Sequence, residues 1–473
     1  MAQHVWRNAT LQVETVGVGR NRLALRYSLA GEPFQTSIWY EGVDFISLRT
    51  QLGTERFDSL LFHITAFEAN RFISLGVTGI DWGPYARFVT ERFAGLWRKI
   101  AHNVWAQWRY ENDLPDHKPP AFDVTATSEQ PRLRDAPDQQ KLLNFCGGGK
   151  DSLAAMALME KAETGFDTLC YASSIYGRLA PQLDLATGLA KRATPGKLHR
   201  MWIMDDLMDS PVLELTPDLG IETLCAAETP ASLFAVLPLV LTHGYTDLVL
   251  GHERSADAPQ VIWDKTGEPI NHQWGKSGEA EDLLNSYLAE ELVPGLSYWS
   301  ILKPVNDVTI FNMLPWRMQD VAATHSCNIE KPWCCKCPKC AYVWLGYQAW
   351  LGPDVTDPIF SGRNLFDVTE NLDHFQRLSG GSDRLPFECI GEQPESLLAM
   401  ALARGRGLEG AALDEASARM ACLKPDDVLA AYAGVDMQAD TAMPADLAQK
   451  FEPWYREAAA RAHEQAAKLL QPA

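Results

Sequence analysis

The sequence lacks any stretch long and apolar enough to cross a bilayer. Its most apolar run, Ala231–Leu241 (ASLFAVLPLVL), falls far short of the ~20 residues a spanning helix needs. Thr229 and Pro230 before it read as an N-cap and a first helical turn, so a buried core helix is expected there, and no membrane partner. Positive charge is also scarce: 42 Lys and Arg against 61 Asp and Glu leave a formal net charge of -19. That excludes a broad nucleic-acid-binding face, which works by neutralising phosphates with Lys and Arg; only a local basic groove stays open. The opening residues MAQHVWRNAT lack a basic segment followed by an apolar one, so no signal peptide is expected and the cytoplasm is the expected location. In that setting the ten cysteines read as thiols or metal ligands rather than disulfides. Internal repeats and low-complexity tracts are missing too. What is present is a globular composition, 46% hydrophobic and 22% charged over 473 residues, with room for two or three cores.

Three regions follow from the patterning. In the first, residues 1–135, the stretches Ala9–Thr15, Arg22–Ser28 and Thr36–Tyr40 are β-branched or aromatic with glycine turns between them. An aromatic, basic, helix-like segment runs over Tyr85–Trp108, its tryptophans read as core packing. A polar, proline-bearing linker is expected over Asn112–Gln139. In the second, residues 136–355, strands (Leu142–Cys146, Thr168–Ser173, Leu198–Met204, Asp247–Gly251) alternate with helices (Asp151–Ala162, Pro181–Ala193, Pro230–Thr242). This is the βαβ pattern of an α/β, doubly wound parallel sheet, with ligands expected at the carboxyl ends of the strands. The third, residues 356–473, is mainly helical in composition, as in Glu395–Arg404 and Pro453–Leu470.

At the first of those strand ends the chain reads LLNFCGGGKDSL, residues 142–153. Gly147, Gly148 and Gly149 let the backbone approach a ligand closely. The helix start behind them offers unpaired N–H groups and the positive end of a dipole. Together these make a phosphate cradle, with Lys150 as a mobile cation and Ser152 as a hydroxyl. The spacing is not that of a Walker loop, because acidic Asp151 separates the lysine from the serine, and the G-x-G-x-x-G fingerprint is absent. The bland alternative is a glycine-rich turn that binds nothing. A second strand end, Gly251-His252-Glu253-Arg254, is expected to line the same crevice, with Gly251 and Arg254 as nucleotide contacts.

Residues 325–345 read HSCNIEKPWCCKCPKCAYVWL. Cys327, Cys334, Cys337 and Cys340 form C-x6-C-x2-C-x2-C, with Cys335 extra. Four thiolates so spaced can close a tetrahedral Zn²⁺ site, and Lys336 and Lys339 offset its negative charge. An iron–sulfur cluster is the competing metal reading, and reduced buried thiols the bland one.

Gly148-Gly149-Lys150-Asp151-Ser152 resembles the PP-loop of the ATP pyrophosphatases, Ser-Gly-Gly-x-Asp-Ser, with Gly147 where that family has its first serine. The resemblance implies an adenine nucleotide alpha hydrolase-like domain that cleaves ATP between the α- and β-phosphates, Lys150 stabilising charge and Asp151 contacting a catalytic Mg²⁺. The cysteine quartet and the upstream Lys303-Pro304-Val305-Asn306-Asp307 are similar to those of the PP-loop enzymes that make 7-cyano-7-deazaguanine, which implies a structural zinc. The layout over the whole length, with Leu385-Pro386-Phe387-Glu388-Cys389-Ile390-Gly391 in the tail, resembles the ATP-dependent UDP-N-acetylmuramoyl-L-alanyl-L-glutamate epimerases, the MurL family. That implies inversion of the terminal L-glutamate of a UDP-muramoyl dipeptide through carboxylate adenylation, in peptidoglycan precursor biosynthesis. Another PP-loop adenylating enzyme (nitrile-forming, tRNA-thiolating or amide-forming) and a non-enzymatic ATP- and zinc-binding module are the alternatives.

The base of such an epimerase is expected first at Cys389, since a thiolate can take a proton, and second at His252; a buried small hydrophobe and a structural histidine are the bland readings. Arg254 and Arg317 can hold carboxylate or diphosphate groups bidentately, or be surface arginines. Asp205, Asp206 and Asp209 follow the third strand and read as helix-start acids rather than a Mg²⁺ site.

Overall fold

A computed structural model describes residues 9–126, 129–135, 139–210, 227–382, 384–439 and 441–470. Its frame is one sheet. The strands are β1 (Thr10–Val13), β2 (Gly17–Val18), β3 (Arg22–Leu29), β4 (Glu32–Tyr40), β5 (Gly79–Asp81), β6 (Leu142–Cys146), β7 (Asp167–Ser173), β8 (Leu198–Asp205), β9 (Asp247–Leu250) and β12 (Ser297–Ser300). They lie in the order β12-β9-β6-β7-β8-β4-β3-β1-β5, with β2 on β3. The five strands from β12 to β8 pair in parallel. β4 then pairs antiparallel with β8, through Trp39 opposite Trp202, so the N-terminal strands extend the central sheet. A separate hairpin joins β10 (Val261–Trp263) to β11 (Glu268–Ile270).

Both faces of the parallel part are covered, as strands of this kind require. Leu143, Leu169, Leu248 and Leu250 point into one core, shared with the helices Thr54–Glu68, Glu228–Ala235 and Leu237–His243. Leu142, Cys146, Cys170 and Val249 point into the other, shared with the helices Lys150–Lys161 and Pro338–Trp350 and with the tail. The chain runs outward from β6 through β7 to β8, then returns to β9 on the other side of β6. Strand order therefore reverses between β6 and β9, the position at which sheets of this kind take ligands at their carboxyl ends. The tail is helical, with Gln393–Gly405 and Ala445–Leu469 as its longer helices. Among the described residues no helix is long and apolar enough to cross a membrane.

Two expectations need correcting. The segment expected as a linker is packed where it is described. Phe122 and Leu133 are buried, and Ala121 exchanges backbone hydrogen bonds with Thr78 and Ile80 at 2.8 and 2.9 Å. Its prolines interrupt regular structure without freeing it from the core. The apolar run expected as one helix is two, Glu228–Ala235 and Leu237–His243, because Pro238 cannot donate an intrahelical hydrogen bond. Thr229 lies inside the first of them, where its carbonyl accepts from Ser232 Oγ at 2.8 Å, and is not its cap.

Candidate active site and metal centre

The glycine loop joins the carboxyl end of β6 to the helix that starts at Lys150. Gly148 takes φ +88°, open to glycine and strained for other residues. Gly149 precedes the helix that starts at Lys150, with Asp151 in the first turn, where a negative charge complements the helix dipole. Gly251, just after β9, comes so close that a Cβ there would sit 3.4 Å from the Asp151 carbonyl oxygen. The two strand ends expected to line one site therefore meet.

The cation of the loop is not mobile. Lys150 is 4% exposed. Its Nζ donates to Asp151 Oδ1 at 2.5 Å and also to Asp307 Oδ1. Burial alone would depress its pKa, but the carboxylates of Asp151, Asp307 and Glu253 hold it above the ordinary lysine value. Ser152 is buried as well, and its Oγ accepts from Gly147 N at 3.2 Å. Both side chains expected to face a phosphate are thus engaged with the protein. Asp307 opens the helix Asp307–Met313 and accepts from the Tyr342 hydroxyl at 2.6 Å; burial raises its pKa against the pull of Lys150. Glu395, receiving the Val308 and Glu392 amides at 3.1 and 3.0 Å, is pushed up to about 8 by burial and by Asp307. Gly391 threads between these groups: a Cβ there would lie 2.3 Å from the Tyr342 hydroxyl.

A second group of side chains surrounds Cys389. Lys276 Nζ donates to its Sγ at 2.9 Å. A ring nitrogen of His272, a carboxylate oxygen of Glu388 and this sulfur lie within 4.8 Å of one another. His272 is held from behind, Nδ1 donating to Gln107 Oε1 at 2.5 Å. Lys339 donates to the Cys389 carbonyl at 2.8 Å and faces Glu388 at 3.7 Å. Burial pushes the thiol up, but Lys276, Lys339 and the His272 hydrogen bond bring it down to about 6. Glu388 and Glu253, which burial alone would raise, are both lowered by the lysines around them. Glu253 is 5% exposed and feels Lys276, Lys150 and Lys339 together. The lysines of both groups act on its carboxylate, which puts the Lys150 group and the Cys389 group in one electrostatic basin.

The other candidates fall at its edge or outside it. His252 is buried, with Nδ1 3.3 Å from the Tyr298 hydroxyl and 3.2 Å from Ser300 Oγ. Burial, then Lys276 and Lys303, hold its pKa well below the ordinary value, so it is a neutral ring on hydroxyl partners. Arg254 pairs at the surface with Asp436 at 3.0 Å. Arg317 bonds Glu160 and Asp320. Glu160 sits in the last turn of the helix that begins at Lys150, about 15 Å along its axis, so Arg317 does not reach the basin. Asp205 takes Arg71 and Thr36, both at 2.7 Å, and Asp206 takes the Gln35 amide at 2.9 Å; both have protein partners. Lys276, His272 and Gln107 were not marked out in the sequence, and Glu253 stood there only as a member of the strand end Gly251-His252-Glu253-Arg254. Lys303, noted only as part of a similar pentapeptide, is fully buried and holds Asp257 Oδ1 at 3.2 Å and the Lys276 carbonyl at 3.0 Å.

The cysteine quartet converges. Cys327 and Cys337 sulfurs are 3.9 Å apart, those of Cys334 and Cys340 3.8 Å, and all four lie within 4.8 Å of one another. A tetrahedron with 2.3 Å Zn–S bonds has edges of about 3.8 Å, so the four thiols fit a metal such as zinc. Cys337 also caps the helix Pro338–Trp350, its sulfur accepting from Cys340 N at 3.4 Å. Lys339 on that helix reaches Cys389, so the quartet is tied to the basin through one side chain.

Residues 231–301 match the family model described as MurL N-terminal domain, and residues 321–418 that described as MurL C-terminal domain. A protein of Micromonospora sp. named UDP-N-acetyl-alpha-D-muramoyl-L-alanyl-L-glutamate epimerase is 30% identical over 325 residues, 66% of this chain and 68% of the relative. Its namesake in Salinispora tropica is 29% identical over 63% of each chain. That of Xanthomonas oryzae pv. oryzae is 34% identical over 36% of this chain and 40% of its own. The basin, the quartet and the tail motif around Cys389 are therefore those of a chain that belongs to the MurL family.

Proposed function

We propose that this protein inverts the terminal L-glutamate of UDP-N-acetylmuramoyl-L-alanyl-L-glutamate, using ATP to activate the carboxylate beside the reacting carbon. The observation that carries this reading is the shared basin: Lys150 of the glycine loop bonds Asp307, Asp307 takes the Tyr342 hydroxyl, Gly391 packs on that hydroxyl, and two residues before it the Cys389 thiol meets Lys276 at 2.9 Å. The names of the relatives support the substrate.

The chemistry follows from charge. A carboxylate next to a Cα–H opposes carbanion formation. Attack of that carboxylate on the α-phosphorus of ATP, with pyrophosphate leaving, removes the negative charge and makes the carbonyl an electron sink. Cys389, whose thiol the neighbouring lysines bring down to about 6, takes the Cα proton on one face; a proton delivered from solvent to the opposite face inverts the centre. Water then releases AMP and restores the carboxylate. Lys276 keeps the thiol ionised, and His272, oriented by Gln107, shares its proton. Backbone amides at the helix start behind Gly149 hold the phosphates, the Gly147 amide being given to Ser152. Asp151, whose side chain is 32% exposed, would hold Mg²⁺, which draws charge from the leaving pyrophosphate. Zinc on the four cysteines would be structural, since a closed four-sulfur site has no open position.

The test is formation of AMP and pyrophosphate from ATP in the presence of the UDP-muramoyl dipeptide. Release that depends on this substrate is expected; release that instead needs ammonia or tRNA would move the protein to a different adenylating class. The burial of Lys150 and Ser152 favours a second reading, a nucleotide- and metal-binding module without turnover, for which ATP binds but no substrate elicits AMP.

A further inference from the structure

The loop at Gly147–Gly149 is short of side-chain donors. It has no hydroxyl at Gly147, and Lys150 and Ser152 are engaged by Asp151, Asp307 and the Gly147 amide. One polar side chain beside it has no such engagement. His325 is 2% exposed, and neither of its ring nitrogens has a hydrogen-bond partner among the described residues. An imidazole always carries at least one N–H, and a buried donor left unpaired bears the full loss of its hydration. The ring is also placed with care. Its own main-chain amide donates to the Gly148 carbonyl at 2.8 Å. Its Nε2 fills the volume a Gly148 side chain would need, 2.1 Å from the ideal Cβ position. Thr324 before it is fixed to the Val321 carbonyl and the Tyr347 hydroxyl, both at 2.7 Å. Cys327 after it belongs to the sulfur quartet.

We propose that His325 is a polyphosphate ligand: a ring N–H donates to a phosphate oxygen of the bound nucleoside triphosphate, in place of the hydroxyl that Gly147 does not supply. This rests on the reading of Gly147–Gly149 as a nucleotide loop. It gives the quartet a further task, because the short strap from Thr324 to Cys327 sets where the imidazole stands. The glycine at 148 is then needed for the histidine as well as for the turn.

The test is calorimetric titration of the full-length, metal-loaded protein with α,β-methylene-ATP and Mg²⁺. His325→Ala and His325→Phe are expected to weaken binding about tenfold, with metal content unchanged. His325→Gln, which keeps an N–H donor on a side chain of similar reach, is expected to recover most of it. The ¹⁵N signal of the His325 ring, identified as the one missing from His325→Gln, is expected to shift when the analogue is added to the wild type. The shift is read on the wild type, and His325→Gln serves here only to assign the signal. Analogue binding by the wild type with an unmoved ring signal, or with unchanged affinity in the Ala and Phe variants, overturns the role of His325 alone. No binding by the wild type overturns the nucleotide loop and this inference with it.

Discussion

Replacing Lys276 by Met should switch off the thiolate of Cys389 at neutral pH without touching the sulfur. The ammonium stands 2.9 Å from Sγ. At an effective dielectric constant of ~20, two unit charges at that separation interact by ~6 kcal/mol before desolvation is counted, an upper bound. Single opposite charges in proteins move pKa values by about 1–3 units. Lys339 and His272 stay in place, so the thiol is expected to rise from about 6 by roughly two units. The thiolate fraction at pH 7 then falls from about 0.9 to about 0.1. A cation lowers a thiol pKa, so its removal moves the acid limb of the rate profile to higher pH, by the same roughly two units. Activity lost at pH 7 should return near pH 9, and Lys276→Arg should stay close to wild type. The pH midpoint of Cys389 alkylation, followed by peptide mass spectrometry, gives the direct reading. The midpoint is the proper quantity, because a higher-pKa thiolate is more nucleophilic and partly masks the change in rate at any one pH. A wild-type midpoint at the ordinary value of about 8.5, or a Met variant whose midpoint does not move, refutes the reasoning.

Other perturbations follow from the same geometry. Metal analysis should find one zinc per chain, and Cys337→Ser should lose it along with several kcal/mol of stability, read as a lower thermal midpoint; a metal-free wild type of full stability would contradict this. Asp307→Asn takes the partner from a buried ammonium and should cost about 3–5 kcal/mol in denaturant titration; a loss under 1 kcal/mol would show that Asp151 alone suffices. Gly391→Ala puts a methyl group 2.3 Å from the Tyr342 hydroxyl. It should cost about 1–3 kcal/mol and reduce turnover by shifting Tyr342 off Asp307; unchanged turnover would remove Tyr342 from the account.

What the sequence revealed and what it hid divide along physical lines. Contiguous signals were legible. Leu142–Cys146 is the strand expected, the helix after it starts at Lys150 within one residue of expectation, and the quartet meets as its spacing implied. Each is set by local chemistry: glycine conformations, a helix start, four thiols on a tight turn. Pairings between distant segments were not legible. β12 was missed because four residues, SYWS, carry no periodicity, although it pairs with β9. The extension of the sheet through β4 and β8 joins segments far apart in the chain. Cys389 was visible as a residue but not as a thiolate. Lys276 and His272, four residues apart, and Lys339 and Gln107, which lower its pKa or hold its neighbours, come from three separate segments, and no spacing connects the three. Lys150 was read as free because the sequence shows a lysine after glycines but not Asp307 folding back onto it.

The central claim is that one basin both activates the carboxylate and moves the neighbouring proton. The most direct measurement is deuterium uptake at the glutamate Cα of the UDP-muramoyl dipeptide in heavy water with ATP, alongside AMP release, in wild type and Cys389→Ser. Wild type should exchange and invert, while the variant still releases AMP but exchanges at least a hundredfold more slowly, on the order of what a positioned base contributes. Exchange at the wild-type rate in Cys389→Ser, or no exchange in the wild type, would contradict it.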